Sequence, residues 1–220
     1  MDIGVVTSAW GEYGKYLPEW VASIQEQSIK PSMITIINAG TDTTEAQQIL
    51  RTGRIPWQII QIPYTGMGPA RNSAVAHTDT EWVMHLDADD VLLPHALEDI
   101  AGIHQDADVV SVGMTVNGQD VTFPHTSKEH VRAGGIGCYS CAAYRRYLWE
   151  RRPYITANDW VDSALWVGFA HEGARFRATS RVGAVYRQHD DSFSHRLSDR
   201  DRMLAGEQHR ALCANPELRL

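Results

Sequence analysis

The first 120 residues alternate short apolar runs with amphipathic stretches, and this alternation constrains the fold more than any other feature of the chain. Ile3–Thr7, Met33–Ile37, Trp57–Ile62, Trp82–Leu86 and Val109–Val116 are compact apolar runs that read as buried strands. Helical candidates lie between them: Lys15–Gln27, with Leu17, Trp20, Val21 and Ile24 at helical spacing, then Thr44–Leu50, Gly68–His77 and Pro94–His104. Strands separated by helices in this way imply an α/β fold, a Rossmann-like, mainly parallel sheet with helices on both faces. In such sheets ligands sit outside the carboxyl ends of the strands, so the residues just past each run are the ones to read for function.

After the turn signal Asn117-Gly118 the pattern loosens. A hairpin, the Gly-rich loop Ala133–Gly137, and helices near Tyr144–Arg151 and Val161–Glu172 follow. Two short strands, near Phe176–Thr179 and Ala184–Arg187, then lead into the polar loop His189–His195 and a last helix near Asp199–Cys213. The 220 residues read as a single domain with a first half at 1–120, a second part at 121–195 built over its ligand edge, and a C-terminal helix at 196–220.

Charge narrows the partners. Lys and Arg number 20 against 27 Asp and Glu, a net charge of −7, and a general nucleic-acid binder needs the opposite sign. The balance is −11 over residues 1–120 and +4 over 121–220, which suits either an anionic partner on the second half or a solvated face. Three cysteines are too few for a disulfide scaffold. Cys138-Tyr139-Ser140-Cys141 has CxxC spacing but lacks a second Cys/His pair at zinc-finger distance, so small residues lining a loop is the plainer reading. No apolar run approaches the roughly 20 residues of a membrane span. The start, Met1-Asp2-Ile3-Gly4, has no basic region of the kind that opens a signal peptide. The expected location is the reducing cytoplasm.

Four segments at strand ends carry chemistry. His85-Leu86-Asp87-Ala88-Asp89-Asp90 follows the fourth run, and three carboxylates in four residues repel one another unless a cation sits among them. Hard oxygen ligands suit Mg²⁺ or Mn²⁺, although a helix-capping turn before Pro94 would use the same residues. Tyr64–Asn72 opens a helix with Gly66, Gly68 and Pro69, a form that favours anions, and places Arg71 one turn in. His189 follows a late strand and is either a nitrogen ligand or a surface residue. Asp159 and Asp162 flank the start of a helix, where they charge its N-terminus or supply a general base.

Taken in order, these segments resemble the family 2 glycosyltransferases of the GT-A fold over roughly residues 3–195. Val5–Trp10 looks like that family's opening strand, and Ile36–Thr41 stands where it carries a VVDDGS-type run. Gly68–Asn72 is similar to its AARN helix start, and Leu86–Pro94 to its LDADD motif. Asp162–Val167 with Gly173–Phe176 is similar to its base-bearing helix and following strand, and Tyr186–His189 to its YRxH. The resemblance implies an inverting transferase moving a sugar from a nucleoside diphosphate sugar, a UDP-sugar first, to an acceptor hydroxyl. It implies that 1–120 binds the donor and 121–195 faces the acceptor. Thr7, Trp10, Asn38, Arg71, Asp87 and Ala88 would contact the nucleotide. Asp89 and His189, with Asp87 directly or through water, would hold a divalent cation, Mn²⁺ or Mg²⁺. Asp162 would be the base, with Asp159 the alternative register.

The chain departs from the family at Asn38-Ala39, where a pair of Asp is usual, and at Val161, where a Glu precedes the base. Those departures keep a catalytically inactive nucleotide-binding relative as an alternative. A sugar-phosphate nucleotidyltransferase is another, although it would carry a longer Gly-rich signature with a Lys after the first strand, and Ala9–Glu12 does not. The acceptor, a saccharide, lipid or protein, is not encoded in the variable stretch Val121–Tyr154. Tyr139, Tyr144, Trp149 and Trp160 are candidates for stacking on a sugar ring or for the core. The last helix mixes Arg200, Arg202 and Arg210 with Asp199, Asp201 and Glu207, which reads as a solvated face, and a homodimer through it is compatible with that mixture.

Overall fold

A computed structural model of the chain describes residues 1–156, 160–189, 192 and 198–218. The five runs of the first 120 residues are strands: β1 (Ile3–Ala9), β2 (Met33–Asn38), β3 (Trp57–Gln61), β4 (Trp82–His85) and, after a two-residue β5 (Val91–Leu92), β6 (Val109–Val116). Between them come α1 (Leu17–Gln25), α2 (Thr44–Thr52), α3 (Met67–Ala76) and α4 (Ala96–Ile103). The second part adds β7 (Gln119–Val121), α5 (Lys128–Arg132), β8 (Ala143–Arg145), α6 (Arg146–Arg151), α7 (Val161–His171), β9 (Phe176–Tyr186) and α8 (Asp199–Ala214).

One sheet takes strands from both parts of the chain, in the order β3-β2-β1-β4-β8-β6-β9-β5, with β7 on β6. The first four strands of this order run parallel, as do β6 and β9. Short β8 lies between β4 and β6, antiparallel to both. Strands covered on both sides need no polar alternation, and β1 is buried along its whole length. One core layer packs Leu17, Trp20 and Ile24 of α1 and Leu97 and Ile100 of α4 under Ile3, Val5, Ile34 and Met84. The other packs Ala70 and Ala74 of α3 and Leu165, Trp166 and Phe169 of α7 against Val6, Val83 and Val109. Helices therefore cover both faces. Among the described residues no helix is long and apolar enough to cross a membrane.

The structure departs from the sequence reading in some details and closes one alternative left open there. Tyr144 and Arg145, expected as the start of a helix, belong with Ala143 to strand β8, whose residues pair with Trp82–Met84 and with Val109–Val110 before the chain turns into α6. The two late strands are one continuous β9, whose pairing with β6 shifts register around Gly113. A break in register around a glycine fits a local bulge. Of the four aromatic candidates for sugar stacking, Tyr144 is fully buried in the second core layer, and Trp149 packs against that layer while donating its indole N–H to Asn72 Oδ1 at 2.8 Å.

Candidate active site

The site begins where β4 ends. Leu86 remains in the sheet through its N–H to the Val6 carbonyl, and the chain then turns so that Asp90 N–H reaches the Asp87 carbonyl. Within that turn Asp87, Asp89 and Asp90 point in different directions and find different partners.

Asp87 faces Arg71, which lies one turn into α3 and is only 3 % exposed. Arg71 Nη2 donates to Asp87 Oδ1 at 2.6 Å, and Nη1 donates to Asp162 Oδ1 in the first turn of α7. One buried guanidinium thus ties the start of the acidic motif to the candidate base. Burial opposes the charge on Arg71, but the two carboxylates outweigh it and raise its pKa. For Asp87, burial pushes the carboxyl up, yet the Arg71 guanidinium, with help from the Ser140 hydroxyl, holds it below the usual range. For Asp162, burial wins: Arg71 offsets only part of it, the Asp87 charge adds to it, and the carboxyl lies above its ordinary value. His85, wholly buried beneath this group with Nδ1 3.5 Å from Asp87 Oδ1, is driven down to about 3 by burial and by Arg71, against the pull of Asp87, and is neutral.

α3 holds the approach to the base as well as its charge partner. Asn72 accepts from Tyr154 N–H at 2.9 Å and donates to the Tyr154 carbonyl at 2.8 Å, clamping the segment ahead of α7. Gly68 allows this close passage, since a Cβ there would strike the Ile155 carbonyl.

Asp89 and Asp90 are held from the far end of the chain. Arg187, just past β9, gives its backbone N–H to Asp90 Oδ1 at 2.9 Å and its guanidinium Nε–H to the Asp89 carbonyl. Two residues on, His189 Nε2 lies 3.0 Å from Asp89 Oδ2. Burial, and then the Asp87 charge, raise the Asp89 carboxyl, with His189 offsetting part of this. Asp90 is fully buried, and burial plus its two acidic neighbours push it well up. Its role in the structure is to anchor the end of β9.

Asp89 and His189 form a hard-oxygen and imidazole pair of the kind that Mn²⁺ or Mg²⁺ accepts. The carboxyl is desolvated and His189 Nδ1 has no hydrogen-bond partner among the described residues, so the donor set fits such an ion. Among the described residues no group of three or more His, Cys, Asp or Glu is arranged to hold a metal alone. A bound ion would therefore complete its shell with oxygens from a ligand and from water.

Two cavities meet at this point. The smaller, about 160 Å³, is lined by Ser8, Trp10, Arg71, Asp87, Ala88, Asp89 and Asp162, among others. The larger, about 570 Å³, shares Asp87, Asp162 and Tyr186 with it and extends toward Tyr139, Trp160 and α8. Trp10, which lines the first, packs at a tilt against the exposed Tyr64 with ring centroids 5.0 Å apart.

Trp10, Arg71, Asp87, Ala88, Asp89 and Asp162 are thus brought together, with His189 on Asp89. Two other candidates are not. Thr7 is fully buried and outside the cavity lining, because neighbours on a strand face opposite ways and Ser8 takes the side that lines the cavity. Asn38, expected to meet a nucleobase, instead folds back on its own turn. Its Oδ1 accepts from Gly40 N–H at 3.0 Å and Thr41 N–H at 2.8 Å, and its Nδ2 donates to the Thr41 carbonyl at 2.9 Å. An Asx-type turn at a strand end uses Asn in this way. Asp159 lies outside the described residues. Ser8, Ser140 and Asn72 were not read from the sequence as site residues. Only Asn72 had a signal there, its place beside Arg71. Cys138 and Cys141 are buried and unbridged, and Ser111 Oγ lies 2.7 Å from Cys138 Sγ, so the CxxC spacing belongs to the core.

Comparison with known proteins adds an independent line. The model of the family described as glycosyl transferase family 2 matches residues 4–181. An uncharacterized glycosyltransferase of Nostoc sp. is 29 % identical over 180 residues, covering 73 % of this chain and 56 % of the relative. Another, from Methanocaldococcus jannaschii, is 32 % identical over 100 residues, covering 44 % and 34 %. The match thus spans little more than half of the first of these relatives and about a third of the second. Among solved structures, S. aureus TarS 1–349 in complex with UDP-GlcNAc superposes with a TM-score of 0.78 at 20 % identity, covering 99 % of this chain and 68 % of that one. The mannosyltransferase PcManGT from Pyrobaculum calidifontis, in complex with GDP-Man and Mn²⁺, gives 0.65 at 18 % identity, covering 96 % and 72 %. These likenesses establish the GT-A architecture.

Proposed function

The chain belongs to glycosyl transferase family 2, and from that premise we propose that it moves a sugar from a nucleoside diphosphate sugar to an acceptor hydroxyl with inversion at the anomeric carbon, assisted by a divalent cation. One observation carries the reading: the buried Arg71 bridges Asp87 and Asp162 where the two cavities meet. Residues 1–120 then serve the donor and 121–195 the acceptor.

In this reading the smaller cavity takes the diphosphate and sugar, with the base lying outward along Trp10 and Tyr64. Because Asn38 closes its own turn, selection of the base falls to groups around those rings. A uridine diphosphate sugar is the first donor to test, and the neighbours bound to UDP-GlcNAc and GDP-Man support both nucleotide classes. Asp89 and His189 would hold the cation, which would supply positive charge opposite the leaving diphosphate. Asp162, approached from the larger cavity, accepts the proton of the acceptor hydroxyl. The hydroxyl oxygen forms its bond to the anomeric carbon as the carbon–phosphate-oxygen bond breaks, and the electron pair leaves with the nucleoside diphosphate. Burial favours this role, because a carboxylate with a raised pKa is a stronger base than an exposed one.

A thermal-shift panel of UDP-, GDP- and dTDP-sugars with and without Mn²⁺ tests the proposal. A ligand at a hundred times its dissociation constant stabilises the native state by about 2.7 kcal/mol. One nucleotide class should raise the melting temperature in the presence of metal, and Asp89→Ala should remove that metal-dependent part. No shift with any donor would refute the reading. Binding without transfer to any acceptor would point to the inactive relative.

A further inference from the structure

The larger cavity suggests what the acceptor is. We propose that it is a saccharide subsite, and that the acceptor is an uncharged, pyranose-containing glycan whose ring stacks on Trp160. This deepens the functional proposal and rests on its assignment of Asp162 as the base.

Position is the first argument. The cavity shares Asp162 with the donor pocket, so a ring seated in it presents a hydroxyl to the base. At about 570 Å³ it falls within the range of roughly 300–1,000 Å³ usual for small-ligand sites.

The walls supply the second argument. Trp160 is 40 % exposed and Tyr139 and Tyr186 face the same space, while Ser163, Gln188 and His209 offer hydrogen bonds between them. Flat apolar surfaces with interspersed polar groups match a pyranose, which has C–H faces and a rim of hydroxyls. Gln188 already accepts from Asn117 Nδ2 at 2.7 Å, but an acyl chain would cover Ser163 and His209 without offering either a hydrogen bond.

Charge is the third. Asp87 and Asp162 are the acidic groups of this lining, both held by Arg71, and no Lys or Arg is among its described residues. A phosphate-bearing acceptor would sit beside carboxylates without a cation of its own.

His209 gives the subsite its selectivity. It lies on α8, beyond the 4–181 span that matches the family, and its ring stands edge-on to Trp160 with centroids 6.0 Å apart. Its Nδ1 is hidden from solvent and has no hydrogen-bond partner among the described residues, and a turn of the ring within the cavity it lines would bring that nitrogen to a sugar hydroxyl as donor or acceptor. The last helix therefore walls the acceptor site.

The test is binding, read by tryptophan fluorescence and saturation-transfer NMR on the full chain with saturating UDP and Mn²⁺. Probes are methyl glucoside, cellobiose, lactose and chitobiose, set against glycerol 3-phosphate, glucose 6-phosphate and dihexanoylglycerol. At least one neutral saccharide should bind. Trp160→Ala should weaken it about tenfold, the scale of one good aromatic contact. His209→Ala should weaken it several-fold and His209→Gln restore part, with the UDP-dependent melting shift unchanged throughout. If Trp160→Ala does not fold, Trp160→Leu and the His209 pair carry the test. Binding of a phosphate or the glyceride in place of every neutral sugar overturns the proposal. So does saccharide binding indifferent to all these substitutions, or no saccharide binding by a protein that binds UDP. Loss of UDP binding in the unaltered protein would instead bring down the donor assignment, and this proposal with it.

Discussion

The two cavities that meet at Asp162 are built on different principles. The smaller pocket, proposed for the donor, is assembled mainly from the ends of β1 and β4 and the start of α3, where charge ties Arg71 to Asp87 and Asp162 and where Asp89 contacts His189 at 3.0 Å. The acceptor-side cleft is assembled mainly from segments after residue 115, and aromatic rings dominate its reach. Strand ends in a packed sheet hold carboxylates in place against their mutual repulsion, whereas loops and an added helix can vary their rings without disturbing that charge. On the proposed function, chemistry falls to the regular elements and selection to the later ones.

The strongest way to break this division is at its boundary. Asp162→Asn should lower transfer by about 10²–10⁴-fold, the usual contribution of a general base, while the nucleotide-induced melting shift stays as it was. Parallel loss of rate and nucleotide affinity would place Asp162 in the donor pocket alone.

Stability should separate the two regions next. Arg71→Ala leaves two buried carboxylates without their counter-charge, and breaking such a buried group costs about 3–5 kcal/mol. Denaturant unfolding should show that loss for Arg71→Ala, with Arg71→Lys recovering part because a single ammonium cannot reproduce a two-pronged fork. A loss below about 1 kcal/mol, the size of a surface ion pair, would mean that water reaches the pair and that the donor pocket is no more rigid than the cleft.

The smallest effect is in pH. Asp162 must be ionised to accept a proton, and burial raises its pKa, so turnover should fall on acidification at a pH above that of an ordinary carboxyl. Asp87, held low by its partners, remains charged through that window. The pH profile of kcat at saturating donor and metal reads this directly. Arg71→Lys, which loosens the fork, should move the acid limb upward. An acid limb at the ordinary carboxyl value would show that Asp162 is solvated like a surface group.

Much of the fold is legible because its signals are local. The apolar runs that become β1, β2, β4 and most of β6 are buried on both faces, and the half-buried edge strand β3 keeps the same apolar run, so each announces itself without reference to its neighbours. β5 and β8 are two and three residues long, too short for any period to register. Ala143–Arg145 is strand only because β4 and β6 lie on either side of it. The late strand was split in two because polar residues around Ser180 and Arg181 interrupt its apolar pattern while its backbone pairing continues. In the site, Arg71, Asp87, Asp89 and Asp162 were legible as residue types in a recognisable order. Asn38 was not, since its amide was free to serve a ligand or its own turn, and only the geometry of Gly40 and Thr41 selects the turn.

The order of residues alone determined that strands and helices would alternate and that acidic and basic groups would crowd the strand ends, since periodicity and local composition need nothing beyond the neighbouring chain. Which carboxylate serves which purpose was decided in three dimensions. Asp87 meets Arg71 sixteen positions away, Asp162 meets the same Arg71 across ninety-one, and Asp89 meets His189 across a hundred. A carboxylate's basicity depends on burial and on the charges within a few ångströms, and both exist only once the sheet has closed and α3, α7 and the end of β9 have been brought to one edge.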